Sequence, residues 1–229
     1  MYVVTSHRDA AAGTLSLLPW EHALQAGAAL TELRKCALLD CDGDSISERN
    51  PLFAEMTAMY WIWKNSGPAK YKGLCHYRRH FRLDGNTFRH MMAGTADAFL
   101  TTPRLAPCGV REMFVRDTPV NETVFSSMLR AIGTVHGRET LCLAEEYFDS
   151  PLYVPNNMLI ARSPVFDAYC AWVFPVLFRM EAEDRETGYN QPDRHIAYAA
   201  ELLTSLYFHL QREKLALQTI DYVFSEVCV

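Results

Sequence analysis

Much is missing from these 229 residues, and each absence removes a class of function. Basic charge is not in excess: 22 lysines and arginines stand against 27 acids, a formal net charge of -5. A nucleic-acid binder carries a global basic surplus, so no nucleic-acid partner is expected. No apolar run approaches the ~20 residues of a membrane-spanning helix. The start, MYVVTSHRD, has neither a basic n-region nor an h-region and does not read as a signal peptide. The seven cysteines (Cys36, Cys41, Cys75, Cys108, Cys142, Cys170, Cys228) form no C-x-x-C pair, which argues against a zinc knuckle or a disulfide framework. Most sit in apolar surroundings and read as reduced, packed thiols. A cytoplasmic protein is expected, with peripheral contact at the inner face of the membrane left open. There is no Walker loop, G-x-S-x-G, G-x-G-x-x-G, internal repeat or low-complexity linker.

What is present is a folded composition, 49% hydrophobic and 21% charged. Residues 1–5 read as a strand that delivers Ser6, His7, Arg8 and Asp9 to a loop. Strands are also expected at 36–39, 71–75, 96–101 and 153–161, the last interrupted at Pro155-Asn156-Asn157. Asn50-Pro51 predicts a helix start with Asn50 as its cap, and the apolar spacing runs to Trp63. Tyr60, Trp61 and Trp63 read as core side chains. Ser163-Pro164 repeats that signature and opens a helix that Pro175 should kink. A charged loop over 181–193 precedes a last helix from about Arg194. Residues 103–150 give no clear elements. Alternating strands and helices predict an α/β sandwich in one domain over 1–229, a central mostly parallel sheet flanked by helices.

In open α/β sheets ligands bind beyond the carboxyl ends of strands. Two such ends are chemically loaded: Thr5-Ser6-His7 and His76-Tyr77-Arg78-Arg79. Were the second to stay extended, His76, Arg78 and His80 would face one side, with Tyr77, Arg79 and Phe81 on the other. Arginine forks match phosphate oxygens bidentately, so this stretch fits a diphosphate; a solvated strand end paired with surface acids fits equally. Asp40, Asp42 and Asp44 would be the ligands if a divalent cation such as Mn2+ or Mg2+ were used, although the segment also reads as a polar turn. Glu55, mid-helix among apolar residues, needs a partner and reads as a structural acid. Asn156 and Asn157 suit acceptor sugar hydroxyls or a simple turn, and Arg194 sits with them as an acceptor contact. Asp193 and Glu201 are the general-base candidates, Asp193 also fitting a helix cap.

Two segments together, ISERNPLFAEMTAMYWIWKN and YKGLCHYRRHF, resemble the bacterial capsular-polysaccharide-synthesis glycosyltransferases, a family long catalogued as a domain of unknown function. It includes galactofuranosyltransferase domains of O-antigen polymerases. The resemblance extends through NNMLIARSPVFDAYCAWVFPVLFRME and, more weakly, RHIAYAAELL. It implies a GT-A-like fold and a nucleotide-sugar donor, with UDP-galactofuranose first among candidates. The acceptor implied is a hydroxyl of a growing capsule or O-antigen glycan, lipid-linked or free. His76, Tyr77, Arg78 and Arg79 then stand where many GT-A enzymes place a metal-binding Asp-x-Asp. Fixed cations would hold the diphosphate with no cofactor required, and Thr5, Ser6 and His7 would border the uridine. Residues 103–150 depart from the family pattern, and acceptor contacts are expected there. A non-catalytic sugar- or nucleotide-binding module of a polysaccharide-assembly complex is the alternative function.

Overall fold

The β-branched opening run sets the frame for a sheet. The computed structural model describes residues 1–8, 17–83, 85–188 and 193–224. Asp9, the middle of the charged loop (189–192) and Cys228 lie outside these. The strands are β1 (Tyr2–Ser6), β2 (His22–Ala26), β3 (Leu38–Leu39), β4 (Tyr71–His76), β5 (Arg79–Phe81) and β6 (Ala98–Thr101). They continue as β7 (Arg104–Leu105), β8 (Leu152–Tyr153), β9 (Leu159–Arg162), β10 (Leu217–Ile220) and β11 (Tyr222–Phe224). The helices are α1 (Asn50–Phe53), α2 (Met56–Asn65), α3 (Gly85–Ala93), α4 (Val110–Asp117), α5 (Glu122–Phe148), α6 (Ser163–Thr187) and α7 (His195–Gln211).

The main sheet runs β10-β6-β9-β4-β1-β2-β3. β1 pairs in parallel with β2 and β4, β2 with β3, and β10 with β6; β9 runs antiparallel between β4 and β6. The period of two sends alternate residues to opposite faces. Val4, Leu24, Leu74, Leu100 and Leu159 enter the larger core, shared with α1, α2, α5, α6 and α7. Val3, Cys75, Phe99, Ile160 and Ile220 enter a smaller core on the other face, where Met91 of α3 packs. Trp63 stacks on Phe174 with ring centroids 5.7 Å apart, and Trp61 is buried, so the aromatic stripe of α2 is core as its spacing predicts. No helix among the described residues is long and apolar enough to cross a membrane.

Several expectations are corrected. The helix expected from residue 50 breaks at Ala54 (φ 44°, ψ -126°) into α1 and α2. Asn50 does not cap it: its Nδ2 donates inward to Ala54 O and Thr57 Oγ1. Ser163 Oγ donates to Ala69 O and does not cap α6. α6 contains Pro175 and runs on to Thr187, so the first part of the charged loop expected over 181–193 is helix. The strand expected at 153–161 is interrupted at the asparagines as expected, but its two pieces join different sheets, β8 pairing with β7 and β9 lying in the main sheet. The unassigned stretch 103–150 is largely α4 and α5. α5 reverses at Gly137 (φ 84°, ψ 172°), which brings the Phe125 and Phe148 rings to 5.3 Å.

The candidate active site at the strand ends

β4, β1 and β2 are neighbours and parallel, so their carboxyl ends open onto one side. A hollow of about 520 Å³ lies there, lined among others by Ser6, Ala26, Glu55, His76, Arg79 and Arg194. A smaller one of about 200 Å³ shares Glu55, His76, Arg79 and Arg194 and adds Asn156, Tyr198 and Glu201. The two adjoin through these shared residues as one chamber, in which Glu201 lines only the smaller part.

The basic wall owes its shape to a turn that the sequence conceals. The chain does not stay extended after His76. β4 and β5 form a hairpin in which His76 pairs with Arg79 across a two-residue turn. The expected split of these side chains between two faces is therefore wrong: His76, Tyr77, Arg78 and Arg79 all line the larger hollow. Arg78 lies over the Tyr77 ring at 5.0 Å and Arg79 over the Phe224 ring at 5.5 Å. His80 leaves the chamber, with its Nε2 3.1 Å from Tyr77 O.

Glu55 stands where the two hollows meet. Asn157 Nδ2 donates to Glu55 Oε1 at 2.7 Å, and an Arg194 nitrogen lies 3.4 Å from Oε2. Burial alone would raise this carboxyl, but His76, the Asn157 bond and Arg194 outweigh it and hold Glu55 below its ordinary range. Glu201 shows the opposite balance. Burial pushes it up to about 7, with the Glu55 charge adding to the rise, while the Asn156 backbone, Arg79 and Arg104 partly offset it. Two neighbouring carboxylates displaced in opposite directions are the arrangement that divides acid-base roles.

Backbone strain is concentrated here as well. The described non-glycine residues with positive φ are Ala54 (44°), Asn156 (64°) and Arg194 (63°), and all three line the chamber. Each costs on the order of 1–3 kcal/mol, which surrounding structure must offset. Arg79 Nε and Asn156 Nδ2 are buried without a hydrogen-bond partner among the described residues. Such groups cost stability unless a ligand satisfies them.

The remaining candidates divide. Ser6 lines the larger hollow; Thr5 is wholly buried and does not. His7 packs so closely on Gly27 (φ 69°) that a Cβ there would sit 2.2 Å from its Nδ1. Burial, then Arg8, lowers the His7 pKa. Asp193 is exposed at the rim, 3.4 Å from Arg8, and α7 has no side-chain cap. Asn157 is buried and spends its amide on Glu55 and Ala197 O, whereas Asn156 lines the smaller hollow. Asp40, Asp42 and Asp44 do not converge as a ligand set. Asp40 is buried, accepting from Gly27 N (2.9 Å) and Ala28 N (3.0 Å), while Asp44 accepts from Tyr60 OH (3.1 Å). Neither hollow takes a lining residue from 103–150. Glu55 is the buried, partnered acid that a lone carboxylate among apolar residues predicts, held by Asn157 and Arg194.

The fold has a solved counterpart. The structure described as "WbbM bifunctional glycosyltransferase apo structure" superposes with a TM-score of 0.84 at 22% identity. The match covers 98% of this chain and 45% of that one, so the chain spans less than half of that protein's length. No curated protein matches the chain. Residues 1–213 match the model of the DUF4422 family, described as a domain of unknown function, and the chain belongs to that family.

Proposed function

We propose that the chain is a glycosyltransferase that moves a sugar from a UDP-sugar to a hydroxyl of a glycan acceptor, with inversion at the anomeric carbon. The observation that carries this reading is two adjoining hollows that share guanidinium groups, the smaller of which also holds a carboxyl pushed up to about 7 by burial. The described counterpart of the fold is named as a glycosyltransferase, which supports the reaction class.

In this reading Arg78, Arg79 and His76 hold the diphosphate, and Ser6 lies beside the nucleoside. Glu201 takes the proton of the acceptor hydroxyl. The oxygen attacks the anomeric carbon as the bond to the diphosphate breaks, and UDP leaves with the bonding electron pair. The guanidinium groups stabilise the charge that grows on it, so no cation is required. Arg79, which lines both hollows, then stands between the diphosphate and the acceptor side where Glu201 lies. Glu55 stays ionised and positions Arg194. Asn156, with an unspent amide, contacts the acceptor sugar. Galactofuranose is the donor sugar to test first, and a capsule or O-antigen glycan the acceptor, at the cytoplasmic face of the membrane.

The test is transfer from UDP-galactofuranose and other UDP-sugars to simple galactosides, in EDTA and with added Mn2+. Transfer or slow donor hydrolysis in EDTA is expected. UDP binding without turnover would make the chain a non-catalytic module, and activity only with Mn2+ would overturn the assignment of the diphosphate to guanidinium groups.

A further inference from the structure

Behind the hairpin that carries Arg78 and Arg79 lies a cluster for which sugar transfer has no use. Glu21 leads into β2, Cys75 is near the end of β4, and His80 is in β5. One ligand atom from each lies within 4.8 Å of the others. Glu21 and Cys75 are buried, and the His80 side chain is 17% exposed.

Each residue is held from outside by backbone. Leu18 N donates to Glu21 Oε2 at 2.9 Å, and the Phe81 backbone hydrogen-bonds the Cys75 sulfur. His80 Nε2 lies 3.1 Å from Tyr77 O. A carbonyl can only accept, so the Nε2 proton points outward. Nδ1 is left facing Glu21 Oε1 at 4.0 Å. In the neutral imidazole this sets a lone pair against a carboxylate beside a buried sulfur; the Met1 ammonium acts on Glu21 and Cys75, and a metal ion among the three ligand atoms would engage His80 as well.

We propose that Glu21, Cys75 and His80 bind one zinc ion that fastens the hairpin from behind. The mixed sulfur, nitrogen and oxygen set suits this borderline-soft cation. The outward backbone bonds match the outer contacts that orient ligands in metal sites. Ligand atoms about 2.0–2.3 Å from a tetrahedral zinc are roughly 3.3–3.7 Å apart, so closure requires movements of about 1 Å. Zinc takes Cys75 as the thiolate, and the thiol proton passes to solvent. β4, β5 and the segment entering β2 become cross-linked, which fixes the turn between His76 and Arg79 from the side opposite the chamber. The site requires no donor sugar and stands apart from the proposed transfer reaction.

The test uses the full chain, stripped with a chelator and titrated with Co2+ and then Zn2+. One cobalt per chain with a thiolate-to-metal absorption band is expected, displaced by one equivalent of zinc. Saturating zinc should raise Tm by at least about 5 °C. Cys75→Ser should abolish the band. Should that variant fail to fold, His80→Gln should keep the band and weaken cobalt binding at least about tenfold. Absence of the band and of the Tm shift, or binding equally tight in every folded variant, would overturn the site.

Discussion

Two hollows in this molecule differ in a way their size conceals. The one between α4 and α5 measures about 720 Å³ and is lined by Cys108, Arg111, Arg116, Glu122 and Asp149 among others. Its two arginines are matched locally: Arg111 pairs with Glu122, and Arg116 donates to both oxygens of Asp117 at 2.7 and 2.8 Å. Its one positive-φ lining residue is a glycine, Gly109, which tolerates that conformation without strain. The chamber at the strand ends, two hollows of about 520 and 200 Å³, matches it in size but holds three strained non-glycine residues and two carboxylates displaced in opposite directions. Unspent chemistry and stored strain mark a site better than volume does.

The contrast breaks most sharply on activity. Glu201→Gln should lower kcat by about 10² to 10⁴-fold, the range for removing a general base, with UDP affinity unchanged. Arg111→Ala in the other hollow should leave kcat as it was. Below the Glu201 pKa, wild-type kcat should fall with pH, following a titration near 7, as a stopped assay over a pH series would record.

The same substitution should stabilise the protein. The Glu201 carboxyl rises from 4.5 unfolded to about 7 folded. Its ionisation costs the folded state nothing below about 4.5, and the penalty grows until the pH passes about 7. Glu201→Gln should therefore gain up to about 3 kcal/mol over wild type in urea unfolding at about pH 8, and nothing at about pH 4. An equal gain at both pH values would contradict the raised carboxyl.

Asn157→Ala should cost about 2 kcal/mol in the same assay, because Glu55 Oε1 loses its 2.7 Å donor while staying buried. Ala54→Gly is the smallest effect, a gain of about 1 kcal/mol as the strained φ is relieved against the entropy of glycine.

How much of this was legible in the sequence follows from the range of the forces. β1, β4 and β6 have strong apolar patterns and were readable, as were the starts of α6 and α7. β2 (HALQA) has no β-branched residue and is held by its pairing with β1, so nothing local announced it. The hairpin at His76–Arg79 contains no glycine, proline or asparagine, and its basic residues read as a continuing strand. The strand ends were legible as a site because polar residues there follow apolar runs, and Glu201 was named from its helix position. That Glu55 needs a partner was legible; which partner was not, because Asn157 is 102 residues away. The acidic turn misled in the other direction: Asp40 looks like a ligand in sequence and is a buried brace for the Gly27 turn in the fold.

The central claim is that guanidinium groups on the β4–β5 hairpin hold a nucleoside diphosphate. Calorimetric titration with UDP in EDTA, on wild type and Arg79→Ala, tests it most directly. One UDP should bind to the wild type, and Arg79→Ala should weaken it by about 10- to 100-fold, the loss of a charge-assisted contact. No binding to the wild type, or equal binding to both proteins, would contradict it.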